Sequence, residues 1–124
     1  MSASSHQPLA GRRVLVVEDQ YLVAEEMRRM VIALGGEVVG PVARAAPGLD
    51  VIARQGIDLA LLDINLGGDD VYPLAEELLR RDAPFFFVTG SEPWVIPEMF
   101  RDVPRLEKPV TSKILSDAVQ RLWL

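Results

Sequence analysis

Three short apolar runs in the chain each end at a polar side chain. The runs are Arg13–Val17 before Glu18-Asp19, Asp58–Leu62 before Asp63, and Pro84–Val88 before Thr89. Within them the apolar residues do not alternate with polar ones, which is typical of strands that are buried on both faces, as in a parallel sheet. Such a sheet needs helices on its faces, so these runs constrain the fold more than any other feature of the chain.

Helical patterns alternate with the strands. They cover Val23–Leu34 before Gly35-Gly36, Ala46–Gln55 before Gly56, Asp70–Arg81, and a last helix that Thr111 or Ser112 caps. Two shorter strands are predicted at Glu37–Pro41 and Arg105–Glu107, and prolines leave residues 91–104 room for only a turn or two of helix. The alternation predicts an α/β fold, a flavodoxin-like, doubly wound, five-stranded parallel sheet of order 2-1-3-4-5 with a short or irregular fourth helix.

Composition narrows the classes of function. The 124 residues suit one domain, and we expect residues 1–10 to form a flexible tail and residues 11–124 the domain. The absence of cysteine excludes thiol chemistry, and the single histidine, His6, lies in the predicted tail. A net charge of −5 argues against nucleic-acid binding, and no apolar run approaches the roughly 20 residues of a membrane span. We therefore expect a cytoplasmic protein.

The predicted strand order brings acidic residues together. Strands one and three are neighbours whose chains leave in opposite directions, so Glu18, Asp19 and Asp63 converge in one crevice. Oxygen ligands without His or Cys favour Mg²⁺, with Mn²⁺ as an alternative. Thr89 and Lys108 end strands four and five at the same edge. The set indicates phosphoryl transfer onto Asp63, although each residue alone also has a structural explanation, such as helix capping by the acid pair.

These motifs resemble those of a response-regulator receiver domain, over nearly the whole chain from Arg12 to Leu124. The matching motifs are Val-Val-Glu18-Asp19, Leu-Leu-Asp63-Ile-Asn65-Leu, Val-Thr89-Gly90 and Glu-Lys108-Pro109. The resemblance implies that Asp63 is the phosphoacceptor, that Glu18 and Asp19 bind the metal, and that Asn65 adds its backbone carbonyl. It also implies that Thr89 is the switch hydroxyl, that Lys108 pairs with the phosphate, and that the Lys108–Pro109 bond is cis.

The resemblance also implies partners. The expected phosphodonor is a sensor histidine kinase or a histidine phosphotransfer protein. The chain ends shortly after the last helix, so we expect a stand-alone receiver that acts as a phosphate shuttle, a phosphate sink or a phosphorylation-dependent protein-binding switch. We expect a monomer or weak dimer. Trp123 and Leu124 either cover the last helix's own core face or form a partner contact.

The chain departs from the family pattern on the side of strands four and five. Receivers usually have an aromatic residue three positions before the lysine, where this chain has Arg105. Phe87-Val-Thr-Gly90 and the prolines that follow resemble a receiver subfamily with a Phe-Ala-Thr-Gly motif, often paired with atypical sensor kinases. We expect Gly90–Pro104 to have few apolar anchors and low stability, and phosphorylation to order it in place of the usual aromatic movement.

Other classes of function remain open at this point. A haloacid-dehalogenase-like, Mg²⁺-dependent phosphatase also uses Asp, Thr and Lys, but its second acid stands where this chain has Asn65. A flavodoxin-like binding module would place a phosphate loop after strand one, where Glu18-Asp19 repel phosphate. An inactive pseudo-receiver would lack site residues that are present here.

Overall fold

The structure is a computed structural model that describes residues 7–90 and 95–123. Within these ranges the predicted strands form one parallel sheet in the order β2-β1-β3-β4-β5, which confirms the flavodoxin-like order. The strands are β1 (Arg13–Val17), β2 (Glu37–Val42), β3 (Leu59–Asp63), β4 (Phe85–Thr89) and β5 (Arg105–Glu107). β1 and β5 have their predicted limits, and the others differ by one residue at one or both ends.

Four α-helices in the described part of the chain cover the two faces of the sheet. They are α1 (Tyr21–Ala33), α2 (Ala45–Arg54), α3 (Tyr72–Arg80) and α4 (Ser112–Leu122). Core residues of α1 and α4 pack together on one face, and those of α2 and α3 pack on the other. Of the two predicted caps for the last helix, Thr111 takes the role, because its Oγ1 accepts a hydrogen bond from Ile114 N at 3.1 Å. None of the helices described has the length and apolar character to cross a membrane.

The connection between β4 and β5 lacks a regular α-helix in its described part. A single turn of 3-10 helix, Glu98–Phe100, follows Pro97, while residues 91–94 of the predicted irregular segment lie outside the described residues. The prediction of a short or irregular element therefore holds for residues 95–104. The expectation of few apolar anchors needs qualification, because Phe100 is 1% exposed.

Phe100 completes an aromatic cluster beneath α3. Its ring stacks on Tyr72 with centroids 5.5 Å apart and meets Phe87 edge-on at 5.5 Å and Phe85 edge-on at 6.3 Å. Phe85 and Phe87 point to this face of the sheet and Phe86 to the opposite one, as successive residues of a strand must. All three phenylalanines are buried, which confirms the prediction that this strand is buried on both faces.

The ends of the described chain pack more closely than the sequence indicates. The predicted tail 1–10 is wrong for Leu9, which is fully buried and whose N–H donates to Leu34 O at 2.9 Å. One buried leucine carries no periodicity, which explains the error; residues 1–6 lie outside the described part. Trp123 packs against the chain's own core, with the Arg12 guanidinium 4.0 Å from its ring centroid. Leu124 also lies outside the described residues.

Candidate functional site

Three carboxylates meet at the carboxyl ends of β1 and β3. Glu18 and Asp19 directly follow β1, and Asp63 is the last residue of β3, the strand paired with β1. One oxygen from each of the three lies within 4.8 Å of the others. Glu18 and Asp63 are each 2% exposed, whereas Asp19 is exposed. The parallel register thus brings together acids that are more than 40 positions apart in the sequence.

Lys108 joins this cluster from the residue after β5. Its Nζ lies 3.0 Å from Asp63 Oδ2, to which it donates a hydrogen bond, and 3.1 Å from Glu18 Oε1. Burial alone lowers the pKa of the ammonium, but Asp63 and Glu18 outweigh burial, so the pKa of Lys108 rises and the charge is retained. The peptide bond to Pro109 is cis, which confirms that expectation, and a second cis bond at Gly40–Pro41 was not predicted.

Glu18 is the carboxyl of the cluster whose charged form is least favoured by its surroundings. Burial raises the pKa of Glu18 to about 7, and the neighbouring Asp63 carboxylate acts in the same direction. Oε1 is buried and accepts no hydrogen bond from any described residue; its polar neighbour is the ion-paired Lys108 Nζ. Oε2 accepts a hydrogen bond from Gln20 N at 3.2 Å. Gln20, rather than either acid, occupies the N-cap position of α1, so the capping explanation for the acid pair fails.

These observations fit a divalent cation. Glu18 Oε1 is buried and accepts no hydrogen bond, and its neighbouring charge is the Lys108 ammonium. Together with the two further carboxylates it forms a set of hard oxygen ligands that one lysine charge does not neutralise. Asp19 Oδ2 lies 3.1 Å from the point where a Cβ on Gly67 would stand, and Gly67 has φ +66°. Glycine at this position therefore leaves space beside the exposed acid of the cluster.

The loop after β3 holds the second oxygen of Asp63. Asn65 N donates to Asp63 Oδ1 at 3.0 Å, and Asn65 Oδ1 in turn accepts a hydrogen bond from Gly67 N at 3.1 Å. With Lys108 on Oδ2, both oxygens of the Asp63 carboxylate have donors, which fixes the orientation of the group. The side chain of Asn65 is used within its own loop.

Thr89 lies next to the acid cluster on β4, whereas Arg105 is exposed on β5. Thr89 ends β4, one residue beyond Val88, which pairs with Asp63, and it is 9% exposed. Its carbonyl accepts a hydrogen bond from Lys108 N at 2.7 Å, while no hydrogen bond joins its hydroxyl to Asp63 in the described chain. Arg105 is exposed on β5, and its charge acts to lower the pKa of Tyr72, although burial and Asp70 raise it overall.

Sequence reasoning missed two residues that bear on the site. Asp69 Oδ2 accepts a hydrogen bond from Ala45 N, and Phe100 carries the aromatic cluster behind β4. Asp69 looked like an ordinary acid before a helix, and no sequence pattern signals a bond across 24 positions. Phe100 stands in a proline-interrupted segment without periodicity.

Comparisons with known proteins agree with this geometry. No family model matches the chain. The solution structure of SdrG from Sphingomonas melonis Fr1 is 37% identical over the full length of both chains, with a TM-score of 0.81. The BeF3-activated conformation of SdrG from Pseudomonas melonis Fr1 is 36% identical, again over both full chains, with a TM-score of 0.77. A CheY-like response regulator receiver domain protein from Methanospirillum hungatei is 25% identical, covers 90% of this chain and 92% of its own, and has a TM-score of 0.75.

A curated relative points in the same direction. The transcriptional regulatory protein PdtaR of Mycobacterium tuberculosis is 25% identical over 114 residues, which are 91% of this chain and 56% of the relative. The chain therefore spans little more than half the length of that protein. The 37% identity to SdrG over both full chains, the likeness to a response regulator receiver domain, the sheet order and the acid cluster agree. The chain belongs to the receiver domains of two-component response regulators.

Proposed function

We propose that the chain is a cytoplasmic receiver in which Asp63 accepts a phosphoryl group from the phosphohistidine of a sensor kinase or a histidine phosphotransfer protein. The observation that carries the proposal is the buried Asp63 carboxylate, held by Asn65 N and Lys108 Nζ at the carboxyl edge of a parallel sheet. A carboxylate with both oxygens oriented is a prepared nucleophile for an incoming phosphorus atom.

We propose Mg²⁺, with Mn²⁺ as a substitute, as the cation of this site. Glu18, Asp19 and Asp63 would hold it with carboxylate oxygens and Asn65 with its backbone carbonyl. When bound, the cation supplies positive charge for the phosphoryl oxygens and offsets the repulsion among the acids.

The residues of the chain then have distinct roles. An oxygen of Asp63 forms a bond to phosphorus as the bond from phosphorus to the histidine nitrogen breaks, and the nitrogen keeps the electron pair of that bond. Lys108, already 3.0 Å from Asp63, neutralises charge on the transferred group. Thr89 stands at the end of the neighbouring strand, where its hydroxyl can turn to donate a hydrogen bond to a phosphoryl oxygen. Loss of any of these groups should slow transfer.

Intact-mass measurement tests the proposal. The protein is incubated with Mg²⁺ and acetyl phosphate, and separately with a phosphorylated histidine phosphotransfer protein. Wild type should gain one phosphoryl group and Asp63→Asn none, while Asp50→Asn on the exposed side of α2 should behave as wild type. An adduct that survives Asp63→Asn, or no adduct with either donor, would overturn the assignment.

The downstream role is part of the same proposal. We infer a receiver that relays or removes phosphoryl groups, or that binds a partner protein when phosphorylated, as a monomer or weak dimer. Competition for a kinase's phosphoryl groups tests the role of relay or sink. A receiver in that role lowers the phosphorylation of a second receiver when no partner protein is present.

A further inference from the structure

The loop between β3 and α3, residues 64–71, is tied to a helix that is distant in sequence. Asp69 Oδ2 accepts a hydrogen bond of 2.8 Å from Ala45 N, the first residue of α2. Ala45 is 6% exposed, so the bond lies at a packed contact rather than in open solvent. Among the described residues, this is the one side-chain hydrogen bond from the loop to an element that does not adjoin it.

The N-terminus of α2 has no capping side chain of its own. Its own N-cap residue, Arg44, makes no side-chain cap hydrogen bond, and its first turn contains no acid. Free N–H groups at a helix start need acceptors, and a carboxylate is a favourable one because it also meets the positive end of the helix dipole. Asp69 supplies that acceptor from outside the helix.

The same residue also closes the loop that holds Asp63. Asp69 N donates to Leu66 O at 3.2 Å, and these two residues form an isolated antiparallel bridge. Leu66 is 5% exposed, and the residue before it, Asn65, donates to Asp63 Oδ1. A chain of contacts therefore runs from α2 through Asp69 and Leu66 to the residue that orients the phosphoacceptor.

We propose that Asp69 is a positioning residue for the phosphoacceptor site. By fixing the loop against α2, it sets where the Asn65 amide meets Asp63 and where the Asn65 carbonyl stands for the cation. This inference rests on the proposed function, since it assigns Asp69 a role in cation binding and phosphoryl transfer. The alternative role is structural, in which Asp69 does no more than stabilise α2.

Asp70 offers a matched control. It is the next residue of the same loop, and its Oδ1 accepts a hydrogen bond from Tyr72 N at 2.9 Å at the start of α3. Asp70→Ala therefore also removes an acid and a local helix-start bond, but leaves the tie to α2 intact. Arg44 offers a second control, because it is exposed and its extended backbone, φ −145° and ψ 165°, suits a serine cap.

The experiment compares wild type with Asp69→Ala, Asp69→Asn, Asp70→Ala and the double variant Arg44→Ser/Asp69→Ala. Calorimetry gives Mg²⁺ affinity, thermal melting gives stability, amide exchange reports the Asn65 N–H, and acetyl phosphate gives the phosphorylation rate. We expect Asp69→Ala to weaken Mg²⁺ binding about tenfold and to speed exchange at Asn65, a size typical of groups that orient metal ligands. Asp70→Ala should change Mg²⁺ affinity less than about twofold, and Asp69→Asn, which keeps an acceptor oxygen, should recover most of the loss.

The double variant separates positioning from stability. Its Arg44→Ser change restores a cap to α2 without restoring the tie to the loop, so the melting temperature should recover while Mg²⁺ affinity and Asn65 exchange do not. Recovery of all three, or equal losses in Asp69→Ala and Asp70→Ala, would show a structural role and overturn the inference. If Asp69→Ala does not fold, the comparison of the double variant with Asp69→Asn decides. Failure of wild type to bind Mg²⁺ and accept phosphoryl groups would instead refute the proposed function.

Discussion

The carboxyl edge of the sheet has two halves of different construction. On the β1–β3 half, two five-residue apolar strands lead to the buried acids Glu18 and Asp63, and Lys108 pairs with both. On the β4–β5 half, β5 has three residues, two of them exposed, and the connection before it contains a single 3-10 turn in its described part. The three carboxylates thus lie on the half with two buried strands, whereas the half with the short edge strand and the irregular connection is where we expect phosphorylation to change the backbone.

Aromatic residues are also distributed differently from the family pattern. The β5 position where receivers usually have an aromatic side chain is the exposed Arg105. The aromatic rings instead lie behind β4, where Tyr72 of α3 and Phe100 of the 3-10 turn stack on each other and against Phe87. Within residues 95–104 of the β4–β5 connection, Phe100 is the one fully buried side chain, so it anchors this segment to the core.

Removing the Phe100 ring should have the largest effect on stability. Phe100→Ala deletes a ring that is 1% exposed, and large-to-small changes of this kind cost about 3–5 kcal/mol of unfolding free energy. Met99→Ala, at a side chain in the same turn that is 55% exposed, should change stability by less than about 0.5 kcal/mol. Denaturant unfolding measures both. Mg²⁺ affinity of folded Phe100→Ala should stay within about twofold of wild type if the halves are independent, and a loss of tenfold would contradict that.

The acid cluster should make Mg²⁺ binding depend on pH. Because burial raises the pKa of Glu18 to about 7, this carboxyl is protonated in the metal-free protein below that value. Mg²⁺ affinity should fall about tenfold for each pH unit below 7, since one proton must leave for the cation to bind. Calorimetric titrations between pH 5.5 and 8, on the order of half a unit apart, measure this dependence of Mg²⁺ affinity on pH. Glu18→Gln should bind Mg²⁺ weakly, and its affinity should not change with pH in this way.

Without metal, the stability of the protein should depend on pH in the opposite direction to its Mg²⁺ affinity. A raised folded-state pKa means that the contribution of Glu18 to stability is fully present below the unfolded value of 4.5 and is lost as pH rises through about 7. The metal-free protein should thus melt at a lower temperature at pH 8 than at pH 6. Saturating Mg²⁺ should remove this difference, because the carboxyl is then ionised in both the folded and the unfolded protein at both pH values. A difference that persists in saturating Mg²⁺ would contradict the assignment of Glu18 as a metal ligand.

Two adjacent glycines test how closely the β1–β3 half packs beside Asp19. Gly67→Ala places a Cβ 3.1 Å from Asp19 Oδ2 at φ +66°, whereas a Cβ on Gly68 meets nothing within 4 Å. The left-handed backbone alone should cost Gly67→Ala about 1–2 kcal/mol, and Mg²⁺ should bind more weakly. Gly68→Ala should stay within about 0.5 kcal/mol of wild type. Equal effects of the two substitutions in melting and titration would argue against close packing beside Asp19.

The smallest expected effect concerns the response of the β4–β5 half. If phosphorylation orders the segment after Thr89, amides of residues 95–104 should exchange several-fold more slowly with beryllofluoride and Mg²⁺ than without. Asp63→Asn, which lacks the carboxylate that beryllofluoride binds, should show no change. Equal protection in wild type with and without the mimic would refute the ordering hypothesis.

Sequence patterns predicted the elements that depend on local periodicity. β1 and β5 had their observed limits, and the strand order followed from the alternation of strands and helices, which placed Glu18, Asp63 and Lys108 at one edge. Contacts that depend on one side chain reaching a distant backbone group could not be predicted in this way. The bond from Asp69 to α2 and the burial of Leu9 are of this kind, since neither repeats along the chain.

The position of Asp63 within the sheet has a mechanical consequence. β3 is the central strand, with β1 on one side and β4 on the other, and all five of its residues are buried. Its backbone is hydrogen-bonded on both edges, so a covalent change at Asp63 has little scope to displace the strand. Displacement should therefore arise in the chain segments that leave the strand ends. A spectroscopic label in those segments should detect phosphorylation of Asp63, whereas a label within β3 should not.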